Sequence, residues 1–78
     1  MPEGLTGRVL VSDPRYDFVL LDIGRTQGVV EDGCLLVRRD GKLVAKVKIA
    51  RVESNRSIAN ILPGWKVADV HEGDQVFY

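Results

Sequence analysis

The chain has 78 residues, and its 11 basic and 11 acidic side chains give it a formal net charge of zero at neutral pH. A chain this short forms one domain, residues 1–78, whose core is too small to enclose a large active-site cleft. The single cysteine, Cys34, excludes an internal disulfide and a cysteine-rich zinc site. No apolar run approaches the ~20 residues of a membrane-spanning helix, so we expect no membrane insertion.

Apolar and polar residues alternate along most of the chain, and turn residues interrupt the alternation at regular intervals, which is typical of short β-strands. Residues 1–6 are predicted to be a loose lead-in to the first strand. One helical turn is expected within Trp65–Glu72. Six strands are predicted, at Gly7–Ser12, Phe18–Ile23, Cys34–Arg39, Lys42–Val52, Ser57–Ile61 and Gln75–Tyr78.

The dipeptide Asp40-Gly41 lies between two alternating segments and predicts a two-residue hairpin, because a type I′ turn needs positive φ at both central positions. In the strand that follows, Val52 falls on the same face as the lysines, which predicts a bulge near Ala50–Arg51. The inward face of that strand is predicted to carry Leu43, Ala45, Val47 and Ile49, while Lys46 and Lys48 face outward.

Two apolar features bear on the core and on interfaces. The strand Phe18–Ile23 is apolar on both faces apart from Asp22, so it is either covered on both sides or part of an interface. Trp65, Phe77 and Tyr78 come late in the chain, where the last loop and strand of a barrel must cover its open end. We expect these aromatics to plug that end rather than to be displayed as a binding anchor.

Glycine and valine positions recur at an offset of 40 residues. Gly24 matches Gly64, Val30 matches Val70, and Gly33 matches Gly73. This recurrence predicts an all-β, pseudo-twofold, six-stranded small barrel built from two βββ halves, which leaves few unpaired strand edges. The alternative is that turn chemistry alone recreates the spacing.

The glycine-bounded strands of residues 7–78 resemble a family of small β-barrel modules. The matching segments are Phe18–Gly24 and Arg39–Val47, together with Gly28, Gly33 and Ser57–Ala59. They are similar to the carboxy-terminal domain of flagellar assembly protein T and to modules that follow coiled-coil segments in exported bacterial proteins. The resemblance implies a barrel that serves in interaction or assembly, and it transfers no active-site residues. It favours the periplasm or cell envelope, with the cytoplasm as the alternative, and the residues themselves leave the compartment undetermined.

Residues that could carry catalysis or hold a metal are isolated in the sequence. His71 has no second histidine and no nucleophile placed beside it by local pattern, so a turn histidine is the favoured interpretation. Cys34 is interpreted as a small buried hydrophobe. We therefore expect no enzyme, no cofactor, no metal and no small-molecule substrate. The turn acids Glu31, Asp32, Glu72 and Asp74 are interpreted as solvated, since calcium loops need denser oxygen ligands.

Basic residues are concentrated between residues 38 and 56, which hold seven of the 11 in the chain and only two acids. Alternation places Lys46 and Lys48 on one outer face, with Lys42 extending the line beyond the hairpin. Such a stripe keeps an outer strand soluble, or it attracts an acidic protein surface or a polyanion. No aromatic residue is expected on the stripe to stack with nucleic-acid bases. The candidate partner-binding residues are Arg38, Arg39, Lys42, Lys46, Lys48, Arg51, Arg56 and Trp65.

The sequence thus predicts its architecture better than its role. We expect a non-catalytic protein-interaction or assembly module of a larger bacterial, envelope-associated protein, with a protein partner or a second copy of the chain as its ligand. The alternative is a small barrel that binds nucleic acid or another polyanion through the basic stripe of residues 38–56.

Overall fold

The computed structural model describes all 78 residues and is all-β, as predicted. Six antiparallel strands form a closed barrel in which the neighbours follow the order first, second, fifth, fourth, third, sixth. Two 3₁₀-helices, Arg25–Gln27 and Pro63–Trp65, lie in the connections. The strands are β1 (Thr6–Asp13), β2 (Phe18–Leu21), β3 (Cys34–Arg39), β4 (Lys42–Val52), β5 (Ser57–Ile61) and β6 (Gln75–Phe77).

Most strand limits agree with the sequence prediction. β3, β4 and β5 have the predicted bounds, and β1 is one residue longer at each end. β2 ends at Leu21 rather than Ile23, and β6 ends at Phe77 rather than Tyr78. The helical turn predicted within Trp65–Glu72 is wrong, because the helix comes earlier, at Pro63–Trp65. Proline favours the first positions of a helix since its φ is already helical and its missing N–H is not needed there.

Gly24 explains where β2 ends. A Cβ at this position would collide with the backbone of Glu53 and of Arg56 in the turn between β4 and β5. The chain leaving β2 passes so close to that turn that Arg25 N donates a hydrogen bond to the Glu53 carbonyl, at 2.8 Å. Only glycine permits this approach, and it diverts the chain out of the sheet.

The predicted hairpin and one predicted bulge are confirmed. Asp40 and Gly41 have φ values of 54° and 75°, so both central residues are left-handed as a type I′ turn requires. The pairing of β4 with β5 shifts between Ile49 and Arg51, which places a bulge at Ala50. This bulge lets β4 bend around the barrel while returning Val52 to the interior, where it is 9% exposed.

A further irregularity in β4 corrects the predicted inward face. The pairing of β3 with β4 shifts so that Val37 lies opposite Ala45 and Arg38 lies opposite Leu43. The intervening Val44 is the extra residue, and it is buried at 3% exposure, whereas Leu43 is 42% exposed. The prediction that Leu43 faces inward is therefore wrong, because the bulge reverses the alternation at the hairpin end of the strand.

The barrel interior is filled by aliphatic side chains alone. No aromatic residue is among the 17 buried hydrophobic residues, and the predicted plug is wrong because Trp65 is 52% exposed. Valine, leucine, isoleucine and alanine suffice for an interior this narrow. The core comprises Leu5, Val9, Val19, Leu21, Ile23, Val29, Leu35, Val37, Val44, Ala45, Val47, Ile49, Val52, Ala59, Ile61, Val70 and Val76.

The order of neighbouring strands is unchanged when β1, β2 and β3 are exchanged with β4, β5 and β6. Such an order is necessary for a twofold relation between halves, whereas the internal repeat itself stays a prediction.

The turns before β3 and before β6 each contain a similar backbone hydrogen bond. Gly33 N donates to the Val30 carbonyl, and Asp74 N donates to the His71 carbonyl. In this contact Asp74 takes the place of Gly33, one residue beyond the Gly73 that the predicted offset pairs with it.

The residues before β1 are attached to the barrel, which differs from the expected loose lead-in. Leu5 is 8% exposed, and its backbone carbonyl accepts a hydrogen bond from Tyr78 N at 3.0 Å. Met1 packs against the core and lies against Gly33. The structure contains no helix long and apolar enough to cross a membrane.

Candidate partner-binding groove

The outer faces of β6, β3 and β4 bring apolar and basic side chains together. Leu36 of β3 lies opposite Phe77 of β6 on one side and opposite Lys46 of β4 on the other. Cys34, two residues before Leu36, lies opposite Lys48. Side chains of residues directly opposite each other share one face of a sheet. Because the intervening Leu35 fills the interior, this row faces outward.

A concavity of about 450 Å³ lies on this face, and we call it the apolar groove. Its volume is within the range of clefts that hold small ligands or anchoring side chains. Met1 occupies one wall because Gly33 has no Cβ, and a Cβ there would meet the methionine side chain. The groove is lined by Met1, Gly33, Cys34, Leu35, Leu36, Lys46, Phe77 and Tyr78.

Two cations contact aromatic rings next to the groove. The Arg38 guanidinium carbon lies 4.2 Å from the centroid of the Phe77 ring, and the Lys46 ammonium lies 4.7 Å from that of Trp65. Both distances are within the range of cation–π attraction, which holds the long basic side chains near the rings. The groove therefore has an apolar floor with a positive charge on either side.

Backbone hydrogen bonds to β4 fix the position of Trp65. Leu62 N donates to the Lys46 carbonyl at 2.9 Å, and Trp65 N donates to the Leu62 carbonyl at 2.9 Å. Farther along, Val67 N donates to the Val44 carbonyl at 2.8 Å. The loop after β5 thus continues beside β4 and places the Trp65 ring against Lys46.

Lys66 anchors the same loop from its solvent side. Its ammonium lies 3.2 Å from the Asp69 carboxylate and 3.7 Å from that of Asp17. The hydrogen bond to Asp69 raises the pKa of Lys66 above its usual value, and the negative charges of Asp69 and Asp17 add to this increase while desolvation opposes it. Since these groups are largely exposed, we assign the contacts a positional role.

The predicted basic stripe does not form one surface. β4 carries Lys42 near one end and Arg51 near the other, about 30 Å of strand at ~3.3 Å per residue, and the strand bends around the barrel between them. Lys42 precedes the Val44 bulge and no longer shares the alternation of Lys46. Arg56 lies in the exposed turn between β4 and β5. Of the predicted site residues, the structure unites Arg38, Lys46, Lys48 and Trp65 around the groove.

Arg39 is engaged in a contact within the protein. Its Nη1 lies 3.0 Å from Asp74 Oδ2, and Asp74 is 3% exposed. Asp74 Oδ2 also accepts a hydrogen bond from His71 N at 2.8 Å. The interpretation of Asp74 as a solvated turn acid is therefore wrong, because its carboxylate is buried and satisfied by these two donors.

The other residues considered for chemistry are also located by the structure. Cys34 is half-buried in the groove wall rather than in the core, which corrects its predicted place. His71 is an exposed turn residue whose backbone, rather than its ring, makes the observed contact. No three histidine, cysteine, aspartate or glutamate side chains are grouped so that they could hold a metal ion.

The sequence analysis missed Leu36, Phe77, Tyr78 and Met1 as groove residues. A signal was present in the unbroken apolar run of residues 34–37, which leaves β3 apolar on its outer as well as its inner face. Phe77 and Met1 carry no comparable signal, because their neighbours in space come from distant parts of the chain.

Comparisons with protein-family models, with curated proteins and with solved structures find no match to this chain. The resemblance to the flagellar assembly module therefore stays an expectation from the sequence.

Proposed function

We propose that this domain is a non-catalytic protein-interaction or assembly module that docks a partner in the apolar groove. The observation that supports this most directly is the exposure of Trp65, at 52%, beside a groove that also contains the half-buried Phe77 and Leu36. The aliphatic core forms without these three residues. Tryptophan and tyrosine, here Tyr78, are the residues that dominate the centres of protein interfaces.

The occupant we propose is an extended segment of a partner protein in which apolar residues adjoin acidic ones. The groove floor offers Leu36 and Phe77 to an apolar side chain. Lys46 belongs to the lining, and Arg38 lies on the Phe77 ring, whereas none of the lining side chains is acidic. Carboxylates flanking the apolar anchor would complement these cations, and charge complementarity favours the correct partner and register.

The place of the domain in a larger protein is part of the same proposal. Its support is the resemblance, in the glycine turns and strand positions of residues 7–78, to modules of bacterial envelope proteins. On this proposal the domain is one part of a longer, envelope-associated chain and provides its contact with a partner.

A peptide selection tests the groove. Random peptides displayed on phage are selected on the immobilised domain and counted again on two variants, Leu36→Glu and Leu20→Glu. Leu20 is the matched control, because it is also a half-buried outer residue of a strand but lies on β2, away from the groove. We expect enriched peptides that pair an apolar residue with Asp or Glu, and we expect Leu36→Glu to abolish their binding while Leu20→Glu preserves it.

Two outcomes would contradict the proposed occupant. Enriched peptides without acidic residues would remove the role of Lys46 and Arg38, and equal binding to both variants would place the contact elsewhere. If no peptide is enriched and sedimentation shows a dimer that Leu36→Glu dissociates, the occupant is a second copy of the chain.

A second candidate function has its own observation. The sequence predicts no stacking aromatic on the basic stripe. In the structure, however, the exposed Trp65 ring lies against Lys46, and Lys48 follows two residues along the same outer face. An exposed ring beside lysines is the arrangement that single-strand nucleic-acid binders use, since a base stacks on the ring while the lysines contact phosphates. We therefore keep binding of single-stranded nucleic acid as the alternative.

Fluorescence titration with a short oligothymidine distinguishes the alternative. If it holds, Trp65 emission is quenched on binding, and the affinity falls as salt is added because counterions are released from the phosphates. The double change Lys46→Glu with Lys48→Glu weakens binding and flattens the salt dependence, whereas Arg56→Glu, which is distant from Trp65, does neither. No quenching at low salt removes the alternative and leaves the peptide-binding proposal intact.

A further inference from the structure

A second concavity, of about 160 Å³, lies where β1, β6 and β3 meet the Asp40-Gly41 hairpin, and we call it the arginine pocket. Its volume is below that of clefts for drug-sized ligands, so it suits a single small group. None of its lining residues is hydrophobic. The lining comprises Arg8, Arg38, Arg39, Asp40, Gly41, Gly73, Asp74 and Gln75.

Strand register brings two of the arginines to either side of one glutamine. Gln75 of β6 lies opposite Arg8 of β1 and opposite Arg38 of β3. Strands are about 4.8 Å apart, so the two arginine backbones are separated by about 10 Å on one outer face. Both arginines line the pocket, Arg8 with its guanidinium at the Gly73 carbonyl and Arg38 with its guanidinium between Gln75 and the Phe77 ring.

The arginines retain donors that no protein group uses. Arg8 donates from Nη1 to the Gly73 carbonyl at 3.2 Å, and Arg38 donates from Nε to Gln75 Oε1 at 2.8 Å. These bonds orient both guanidinium groups and leave the two remaining nitrogens of each without a protein acceptor. Since each guanidinium has five N–H donors in a fixed fork, oriented arginines are suited to bind an oxyanion through paired hydrogen bonds.

The charges of the pocket favour an anion. Asp74 pairs with Arg39, so these two lining charges balance each other. Arg8 and Arg38 remain, opposed within the lining by the exposed Asp40 in the hairpin, while the Asp22 carboxylate outside the lining accepts a hydrogen bond from Arg8 N at 2.7 Å. The geometry points to a binding site for a tetrahedral oxyanion, either free phosphate or the phosphoryl group of a small monoester, held by Arg8 and Arg38 and bordered by Asp40.

Titration of the ¹⁵N-labelled domain with inorganic phosphate, followed by two-dimensional NMR, tests the site. We expect saturable shifts of the Gly41 and Gly73 amides, with a dissociation constant in the millimolar range. Chloride at matched ionic strength should not reproduce them. A parallel titration with glycerol 3-phosphate identifies the source: binding equal to that of phosphate assigns a phosphoryl group, and weaker binding assigns the free ion.

Variants with opposite expected effects distinguish the loss of a phosphate contact from the loss of folded structure. Arg8→Gln and Arg38→Gln should each weaken phosphate binding about tenfold, the size of a lost charged hydrogen bond. Asp40→Asn should tighten binding about threefold by removing the opposing charge, and asparagine is well tolerated in a type I′ turn. Arg51→Gln, on a distant part of β4, is the control and should change nothing.

Two results would overturn this site. Shifts that grow linearly with either anion would show that no site exists. An Arg51→Gln effect as large as that of Arg8→Gln would show a general charge effect. Arg8→Gln separates this site from the apolar groove, because Arg8 lines only the arginine pocket, whereas Arg38 borders both.

Discussion

The Val30–Gly33 turn and the His71–Asp74 turn have the same backbone contacts and opposite chemistry. Asp32 N donates to the Ile49 carbonyl as Gly73 N donates to the Val9 carbonyl. Asp32 and Gly73 are also both left-handed, with φ values of 65° and 87°. Yet Met1 packs against the first turn, whereas the second buries the Asp74 carboxylate.

This comparison shows how one backbone arrangement supports two different surfaces. Gly33, at the end of the first turn, admits an apolar side chain and borders the apolar groove. Asp74, at the corresponding position of the second, binds Arg39 and borders the arginine pocket. The backbone contacts are shared by the two turns, and the residue at this position borders a different surface in each.

The largest expected effect comes from removing the carboxylate that distinguishes the second turn. Asp74→Ala leaves Arg39 without its partner and His71 N without its acceptor, so we expect the free energy of unfolding to fall by about 2 to 3 kcal/mol. Urea denaturation followed by circular dichroism measures it. The exposed neighbour Glu72 is the control, and Glu72→Ala should cost less than about 0.5 kcal/mol. Equal costs would mean that the buried carboxylate does not distinguish the turns.

A smaller effect tests whether the two left-handed positions are equivalent. Gly73→Ala should destabilise the domain by about 1 kcal/mol, because alanine is strained at positive φ although there is open space for its Cβ. Gly73→Asn should cost less than Gly73→Ala, since asparagine adopts this conformation more readily. Asp32 is itself at positive φ, so Asp32→Ala should resemble Gly73→Ala. If alanine lowered the free energy of unfolding at only one of the two positions, Asp32 and Gly73 would not be equivalent.

The first turn should tolerate change better than the second. In Gly33→Ala the new Cβ meets the end of the flexible Met1 side chain, which can move aside, and lies 3.2 Å from the Val30 side chain and carbonyl, which must shift slightly, so we expect a loss of about 1 kcal/mol. The Met1 methyl resonance should shift because its place in the groove is disturbed. A loss as large as that of Asp74→Ala, in the same urea experiment, would show that the two turns are equally constrained.

The smallest effect concerns the loops that lead into the turns. The first is held by backbone bonds and by Gln27, which accepts a bond from Gly24 N at 2.8 Å, whereas the second is held by the ion pairs of Lys66. The pKa of Lys66 is raised in the folded state, so the protonated side chain stabilises the fold. This stabilisation is fully present below the ordinary lysine pKa and is lost as pH rises through the pKa of Lys66 in the folded protein.

Urea midpoints of the wild type and of Lys66→Gln measure this contribution. Their difference should be small and constant between about pH 7 and 9, and it should shrink only above the ordinary lysine pKa. The matched change Gln27→Ala in the first loop should show no such pH dependence. A difference that disappears near neutral pH would contradict the assignment.

Local patterns were sufficient to predict most of the fold. Alternation and turn residues located all six strands, and Asp40-Gly41 specified its turn type, because these features depend on neighbours in sequence. The bulge at Val44 was not predictable, since the pairing of β3 with β4 that creates it leaves no mark on the pattern of Leu43 to Val47.

The candidate site was less predictable than the fold. Arg39 and Asp74 are 35 residues apart, and only the closure of the barrel by β6 brings them together. Trp65 was expected to plug the barrel because it lies late in the chain, where the last loop must cover an open end, but an interior filled by valine, leucine and isoleucine has no room for an indole ring. Basic residues clustered in sequence were separated by the length of β4.

The proposed partner-binding surface requires that the aromatic residues lie outside the aliphatic core. Trp65 is the single tryptophan, so its fluorescence in the folded domain, with iodide as quencher, measures this directly. We predict red-shifted emission that iodide quenches readily, at a protein concentration where the domain is monomeric. Blue-shifted emission protected from iodide would contradict the account, because Trp65 would then be inside the barrel and absent from the surface proposed to bind a partner.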